Sequence, residues 1–109
     1  MIGRQPGGPA DATDRISRIA RDDNFTIVLT DHAKAQMELR DLIVGDVRYV
    51  LKNGFVYEQP EPSTRPEFFK YKVENRSPNG GARSVRVISI PDESHVWIKV
   101  VTVMWVDES

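Results

Sequence analysis

The chain has 109 residues, and its 15 Lys and Arg residues are nearly balanced by 16 Asp and Glu residues, which gives a formal net charge of -1. This length predicts one domain with a modest core, and the charge balance argues against a protein that binds polyanions over its whole surface. The chain has no cysteine, which excludes a disulfide scaffold, a thiolate metal site and a cysteine nucleophile. Its two histidines, His32 and His95, are too few for a zinc site without carboxylate ligands, so we expect no metal and no cofactor.

The first 24 residues predict a flexible tail and one short helix. Residues 1 to about 10 hold two prolines and three glycines, which is typical of irregular chain. Residues 11–22 predict a helix capped by Asp11 or Thr13, with an apolar face made of Ile16, Ile19 and Ala20. Neither a signal-peptide pattern nor an apolar run long enough to span a membrane occurs, so we expect a cytoplasmic protein.

Two helices are expected next. Residues 25–29 predict a strand, after which Thr30 or Asp31 caps the first of these helices. The second helix carries its apolar stripe at Val47, Val50 and Leu51 and stops at Asn53-Gly54.

The rest of the chain predicts strands. Residues 68–75 alternate, with Phe69, Tyr71 and Val73 on one face and Lys70 and Lys72 on the other. A proline-rich irregular connection is expected at residues 60–66, a hairpin turn at 77–82, and a last, central strand at 96–106. We therefore expect an α+β fold over residues 25–109, with two helices packed on an antiparallel sheet of about four strands.

Cations concentrate between residues 65 and 86, where six Lys and Arg residues stand against two Glu residues. Arginine forks suit phosphate oxygens, and the aromatic side chains among these cations offer surfaces on which bases can stack. The segment therefore predicts an RNA-binding surface, with candidate residues Lys70, Lys72, Arg76 and Arg83. The alternative is a solvated sheet edge, on which Lys and Arg prevent aggregation.

Two further groups are candidates for chemistry. Arg86 shares strand parity with Ile88 and Ile90, and a cation on such a face either has a structural partner or lines a cleft. His32 lies in the first turn of its helix, where the helix dipole disfavours the imidazolium, so it is either a base or a capping and packing residue. His95 follows a turn and is expected to be an ordinary surface residue.

No glycine-rich phosphate loop, paired-carboxylate motif or nucleophile elbow occurs in the sequence. An enzyme of this composition would use His, Lys, Arg and Tyr, a set that suits phosphodiester transfer on RNA. A base activates the 2′-hydroxyl, cations stabilise the charge at phosphorus, and an acid protonates the leaving oxygen. Lys99, predicted to share a face with Trp97, Val101 and Val103, is either a structural cation or a further active-site one.

Residues 30–58, TDHAKAQMELRDLIVGDVRYVLKNGFVYE, followed by FFKYKVE and SVRVISI, resemble a small bacterial family, the domain of unknown function 4258 family. The likeness spans about residues 25–106. It is carried mainly by His32-Ala33, Met37, Arg40, Val47, Leu51 and Asn53-Gly54. Gln36 stands where the family usually has arginine, and Asp41 replaces a common glycine.

The resemblance implies a relationship to toxins of the RelE and ParE superfamily, with MqsR-like and BrnT-like members. It therefore implies two helices on a curved antiparallel sheet that carries the functional cleft. That superfamily includes ribonucleases and gyrase inhibitors, each neutralised by a partner antitoxin. His32 and Arg40 match polar helix positions of the family, and Lys70, Tyr71 and Arg86 lie on strands where relatives place catalytic cations and tyrosines.

The leading hypothesis is a metal-independent endoribonuclease of toxin type, an mRNA interferase, with RNA as substrate and a cognate antitoxin as partner. Its predicted catalytic residues are His32, Tyr71 and Arg86. Its predicted RNA-binding residues are Arg40, Lys70, Lys72, Arg76 and Arg83. The alternative is a non-enzymatic protein-binding module of the same fold, such as a gyrase inhibitor or an adaptor, and a third option is a relative that only contacts nucleic acid.

Overall fold

The computed structural model describes residues 8–77 and 81–108. Helices and strands alternate in the first half, and strands dominate the second. The helices are α1 (Pro9–Ala20), α2 (Asp31–Leu39) and α3 (Val44–Asn53). The strands are β1 (Thr26–Leu29), β2 (Phe55–Val56), β3 (Glu61–Pro62), β4 (Phe69–Arg76), β5 (Ser84–Asp92) and β6 (Trp97–Trp105). A single 3₁₀ turn, Val106–Glu108, follows β6 and is called the C-terminal turn below.

The α+β class is confirmed, but the sheet is mixed, and six strands rather than about four form it within the described ranges. The strand order is β1-β6-β5-β4-β2, and β3 pairs with the other end of β4. The prediction of an antiparallel sheet was wrong for β1, which runs parallel to β6. This pairing is non-local: α2 and α3 carry the chain to the far edge, so β1 is free to pair with the last strand.

The first helix is part of the core. Ile16 and Ile19 are buried, and α1 packs against α3 and β2. The predicted caps were wrong, because the helix begins earlier, with Gly8 as N-cap and Pro9 at the first helical position. Thr13 instead accepts a hydrogen bond from the Val56 amide at 2.9 Å and so ties α1 to the edge strand β2. The predicted flexible tail lies mostly in residues 1–7, outside the described residues.

The expected start of α2 and the expected end of α3 are confirmed. Thr30 caps α2 by accepting a hydrogen bond from the Ala33 amide at 3.1 Å. The link to α3 turns at Asp41, whose φ of 55° lies in the left-handed region. Gly54 ends α3. A Cβ atom at this position would lie 2.5 Å from the Val50 carbonyl oxygen, so only glycine allows the backbone to come this close.

The sheet has two unlike faces. The helix face is apolar and buried under the helices; it carries Tyr71, Val73, Val85, Val87, Ile98, Val100 and Val103. The opposite face, called the open face below, carries Lys70, Lys72, Glu74, Arg86, Ile88, Ile90, Trp97 and Lys99. The alternation predicted for β4 is therefore confirmed.

One strand departs from simple alternation. The register of β5 and β6 shifts between Ile88 and Ser89, so Ile88 pairs with Thr102 whereas Ser89 pairs with Val100. The extra residue, Val101, moves Val103 to the helix face. The prediction that Lys99 shares a face with Val103 was therefore wrong.

Two loop predictions have different outcomes. The segment 60–66, expected to be irregular, includes β3, which pairs with Phe69 and Lys70 of β4. The hairpin turn expected at residues 77–82 lies partly outside the described residues, which exclude 78–80. None of the described helices is both long and apolar enough to cross a membrane.

Candidate nucleic-acid interface

The open face combines cations with aromatic rings. Lys70 on β4, Lys99 on β6 and Arg65 in the loop before β4 have no ion-pair partner among the described residues. Trp97 next to Lys99 is 44% exposed, and Phe55 on β2 is 51% exposed. Free cations can bind phosphate oxygens and exposed rings can stack on bases, so this face carries side chains of the kinds with which proteins bind single-stranded nucleic acid.

A cavity of about 90 Å³ opens on this face between the loop before β4 and the ends of β5 and β6. It is lined by Ser63, Thr64, Arg65, Phe68, Ile90, Asp92, Trp97 and Lys99. We call it the β5–β6 cavity. The Arg65 guanidinium stacks on the Phe68 ring at 5.1 Å. Ser63 accepts a hydrogen bond from the Arg65 amide and donates one to its carbonyl oxygen, which holds the loop closed on itself.

A carboxylate–imidazole pair adjoins this cavity: Asp92, the last residue of β5, lines it, and His95 lies in the turn between β5 and β6. His95 Nδ1 lies 2.9 Å from Asp92 Oδ2, while the other carboxylate oxygen accepts from Ser94 Oγ at 2.8 Å and from the His95 amide at 3.3 Å. Partial burial opposes ionisation of Asp92, but the hydrogen bonds from Ser94 and His95 outweigh it and lower the pKa of this carboxyl. The His95 ring packs on Trp97 with centroids 5.2 Å apart.

The next residue in this turn has a strained backbone. Val96 has a φ of 55°, which is rare for a β-branched residue. Its amide donates to Glu93 and its carbonyl oxygen accepts from Thr26 of β1, so the turn is held from both sides. Strain of this kind persists only where the surrounding structure enforces it, and it is frequent at functional sites.

The three predicted catalytic residues do not form one cluster. Tyr71 is 2% exposed on the helix face, where its hydroxyl lies 3.5 Å from Arg15 Nη2. Arg86 lies on the open face, with Nε 2.8 Å from Glu74 Oε2. His32 is exposed in the first turn of α2. Tyr71 and Arg86 therefore project from opposite faces of the sheet.

Two of the predicted RNA-binding residues are tied to the C-terminal turn. Arg40 Nη2 lies 2.6 Å from Glu108, and Arg83 Nη2 lies 2.7 Å from Asp107. The hydrogen bonds from Arg40 and from the Trp105 amide lower the pKa of Glu108 from 4.5 to about 2. Arg83 also stacks on Trp105 at 4.2 Å. The guanidinium groups of both arginines are therefore already bound to carboxylates of the same chain.

The other predicted RNA-binding cations, Lys70, Lys72 and Arg76, form no ion pair with the described part of the C-terminal turn. Lys70 and Lys72 project from β4 onto the open face, where Lys72 lies 3.4 Å from Glu58. Arg76 is exposed at the end of β4. The structure thus brings Lys70, Lys72 and Arg86 onto one surface, and it places Arg40 and Arg83 against the C-terminal turn instead.

Sequence reasoning named Lys99 as a possible active-site cation but missed the pair of Asp92 and His95 beside it. His95 was expected to be an ordinary surface residue, and no role was predicted for Asp92. The Asp-x-x-His spacing is the signal that was available, because a turn brings residues three apart close together. The structure instead joins His95, Asp92 and Trp97 in one contact group.

Residues 29–105 match the domain of unknown function 4258 family, so the chain belongs to that family. No curated protein and no solved structure gives a significant match. The match begins inside β1, so α1 lies before it even though α1 supplies Ile16 and Ile19 to the core. Within the described part of the chain, no group of three or more His, Asp and Glu residues is arranged to hold a metal ion.

Proposed function

We propose that this chain is a toxin-type endoribonuclease that binds single-stranded RNA on the open face and cleaves it without a metal cofactor. The observation that carries the proposal is the combination of free cations and exposed aromatic rings on this face: Arg65 and Lys99 line one cavity with Trp97, and Lys70 lies on β4 of the same face. Cations neutralise phosphates and the rings stack on bases in a sequence-tolerant way. The relationship to the RelE and ParE toxins that the family resemblance implies favours the same function and adds an antitoxin as the expected partner.

The chemistry proposed is transfer within the RNA chain. The 2′-hydroxyl loses its proton to a base and attacks the adjacent phosphorus, and the bond to the 5′-oxygen breaks as that oxygen gains a proton. The products carry a 2′,3′-cyclic phosphate and a 5′-hydroxyl. Cations near the phosphate stabilise the negative charge that develops on its oxygens. Of the three residues predicted for catalysis, Arg86 alone lies on the open face.

Binding is tested with a fluorescent single-stranded RNA in a salt titration. The double variant K70A/K72A is expected to weaken binding by about tenfold or more at low salt and to flatten the dependence of log K on log salt, because two phosphate contacts are lost. The matched control is Arg18→Ala, which removes an exposed arginine from α1 on the other side of the molecule. Equal binding by wild type and K70A/K72A, or a larger loss in Arg18→Ala, would contradict the proposal.

A second candidate function is the non-enzymatic protein-binding module. It is favoured by three exposed apolar side chains at the corner between α2 and α3, where Leu39 is 79%, Ile43 58% and Val44 42% exposed. Expression in bacteria separates the two candidates. Growth arrest with cleaved transcripts that depends on Lys70 and Lys72 supports the ribonuclease. Growth arrest with intact transcripts that is abolished by L39S/I43S supports the binding module.

A further inference from the structure

We propose that the β5–β6 cavity is the nucleotide subsite and that His95, held by Asp92, is the proton-transfer group at it. This proposal rests on RNA being the substrate of the open face. His95 and Asp92 lie at one end of that face, and neither was among the candidate residues selected from the sequence.

The cavity has the size and the charges for a phosphate and part of its sugar. A volume of about 90 Å³ admits several water-sized groups. Arg65 and Lys99 supply two positive charges to its lining against the one negative charge of Asp92, and neither cation forms an ion pair among the described residues. Trp97 lines the same cavity and is 44% exposed, so a base outside the cavity can stack on the indole while its phosphate lies between the two cations.

The hydrogen bonds assign the proton positions on His95. Asp92 is ionised, so it only accepts, and it already receives the Ser94 hydroxyl on Oδ1. Its Oδ2 therefore accepts from Nδ1–H of His95 at 2.9 Å, so that in the neutral ring the lone pair is on Nε2. The His95 side chain is 63% exposed, and Nε2 has no hydrogen-bond partner among residues 8–77 and 81–108. This is the arrangement of a base oriented by a carboxylate.

The step balances without any co-reactant other than water. Nε2 takes the proton of the 2′-hydroxyl, the 2′-oxygen bonds to phosphorus, and the phosphorus–O5′ bond breaks with its electron pair left on O5′. That oxygen gains a proton from water, and the imidazolium, stabilised by Asp92, returns its proton to the solvent. Lys99 and Arg65 stabilise the added charge on the phosphate oxygens in the transition state. Asp92 acts through His95 and is a positioning residue.

The test measures single-turnover cleavage of a single-stranded RNA that contains every dinucleotide step, with binding measured on the same sequence carrying 2′-deoxy residues, which cannot react. His95→Ala is expected to slow cleavage by about 10²-fold or more while binding changes less than about twofold. Added imidazole restores part of the rate, which it would not do if His95 only stabilised the turn. Asp92→Asn lowers the cleavage rate without weakening binding, because it removes a negative charge from the cavity lining.

The matched control is Glu93→Gln in the same turn, whose side chain is turned towards Arg15 on α1; its cleavage rate is expected to equal that of wild type. Circular dichroism melts confirm that each variant is folded. Undiminished cleavage by His95→Ala overturns the inference but not the proposed ribonuclease function. The same conclusion follows if His32→Ala abolishes cleavage and His95→Ala does not. Absence of cleavage by the wild type overturns both the ribonuclease proposal and the inference. If the wild type then still binds RNA and K70A/K72A weakens that binding, the open face is an RNA-binding surface without catalysis.

Discussion

Glu74 lies directly across the β4–β5 pair from Arg86, and its carboxylate accepts a hydrogen bond from Arg86 Nε at 2.8 Å. The two side chains are only 16% and 14% exposed. Because each charge loses most of its hydration, each depends on the other. The sequence left two interpretations of Arg86, a cation with a structural partner or a cation that lines a cleft. The ion pair with Glu74 favours the first.

We expect Arg86→Ala to lower the free energy of unfolding by about 2–3 kcal/mol, since Glu74 is left without its partner. Urea unfolding monitored by circular dichroism measures this loss. The double variant E74L/R86M, which removes both charges, is expected to recover most of it. A single variant as stable as the wild type would show that the pair is dispensable.

The C-terminal turn predicts how stability depends on pH. The pKa of Glu108 falls from 4.5 to about 2 in the folded chain, and that of Asp107 is also lowered, because Arg40 and Arg83 donate hydrogen bonds to them. A lowered folded-state pKa means that the unfolded state binds protons first. These contacts therefore contribute fully above about pH 4.5, and the contribution is lost as the pH falls towards 2.

Unfolding by urea at several pH values between 2 and 6 measures this loss. In the double variant E108Q/D107N the acid-dependent part is expected to shrink, and at neutral pH the variant is less stable than the wild type. Residual acid sensitivity arises from Asp92, whose pKa is also lowered. The same acid slope in wild type and variant would contradict the assignment.

Local patterns predicted much of this fold. The Thr30 cap, the stop at Asn53-Gly54 and the alternation of β4 depend on neighbours within a few residues, and each is confirmed. The parallel pairing of β1 with β6 depends on residues about 70 apart in sequence. No periodicity in the sequence carries such a pairing.

The candidate site was predicted less well, for two physical reasons. The extra residue at Val101 reverses the alternation of side chains part-way along β6. Simple alternation from Lys99 therefore assigned Val103 to the wrong face of the sheet. The contact between Asp92 and His95 depends on the conformation of a four-residue turn, which includes a left-handed valine at its end. Composition does not encode that conformation.

Gly54 is required by space rather than by its φ. A Cβ atom there would meet the Val50 carbonyl oxygen at 2.5 Å and Val73 Cγ1 at 2.9 Å. Gly54→Ala is therefore expected to cost about 1–3 kcal/mol as α3 and β4 are pushed apart. Gly45 is the internal control. Its Cβ atom would find only ordinary contacts with Ile43, so Gly45→Ala is expected to stabilise the chain by up to about 1 kcal/mol.

The role of α1 in the core can be tested with one buried residue. Ile16 is 1% exposed, and its helix contacts both α3 and β2. We expect Ile16→Ala to lower the free energy of unfolding by about 2–5 kcal/mol, through lost burial and the cavity left behind. Arg18→Ala, exposed on the same helix, is expected to change it by less than about 0.5 kcal/mol. Equal effects of the two variants would mean that α1 is not part of the folded core.

Asp41 has a backbone conformation that suits glycine, the residue that the family resemblance implies for this position. With φ at 55°, the residue is left-handed, a conformation that glycine adopts freely and aspartate tolerates. Asp41→Gly is expected to be about as stable as the wild type, because relief of the backbone is offset by greater freedom in the unfolded chain. Asp41→Val is expected to lose about 1–2 kcal/mol, since a β-branched side chain is disfavoured there. Thermal and urea unfolding of the two variants distinguish them. If valine were tolerated as well as glycine, the turn between α2 and α3 would have to adopt another conformation, and the exposed apolar corner formed by Leu39, Ile43 and Val44 would be rearranged with it.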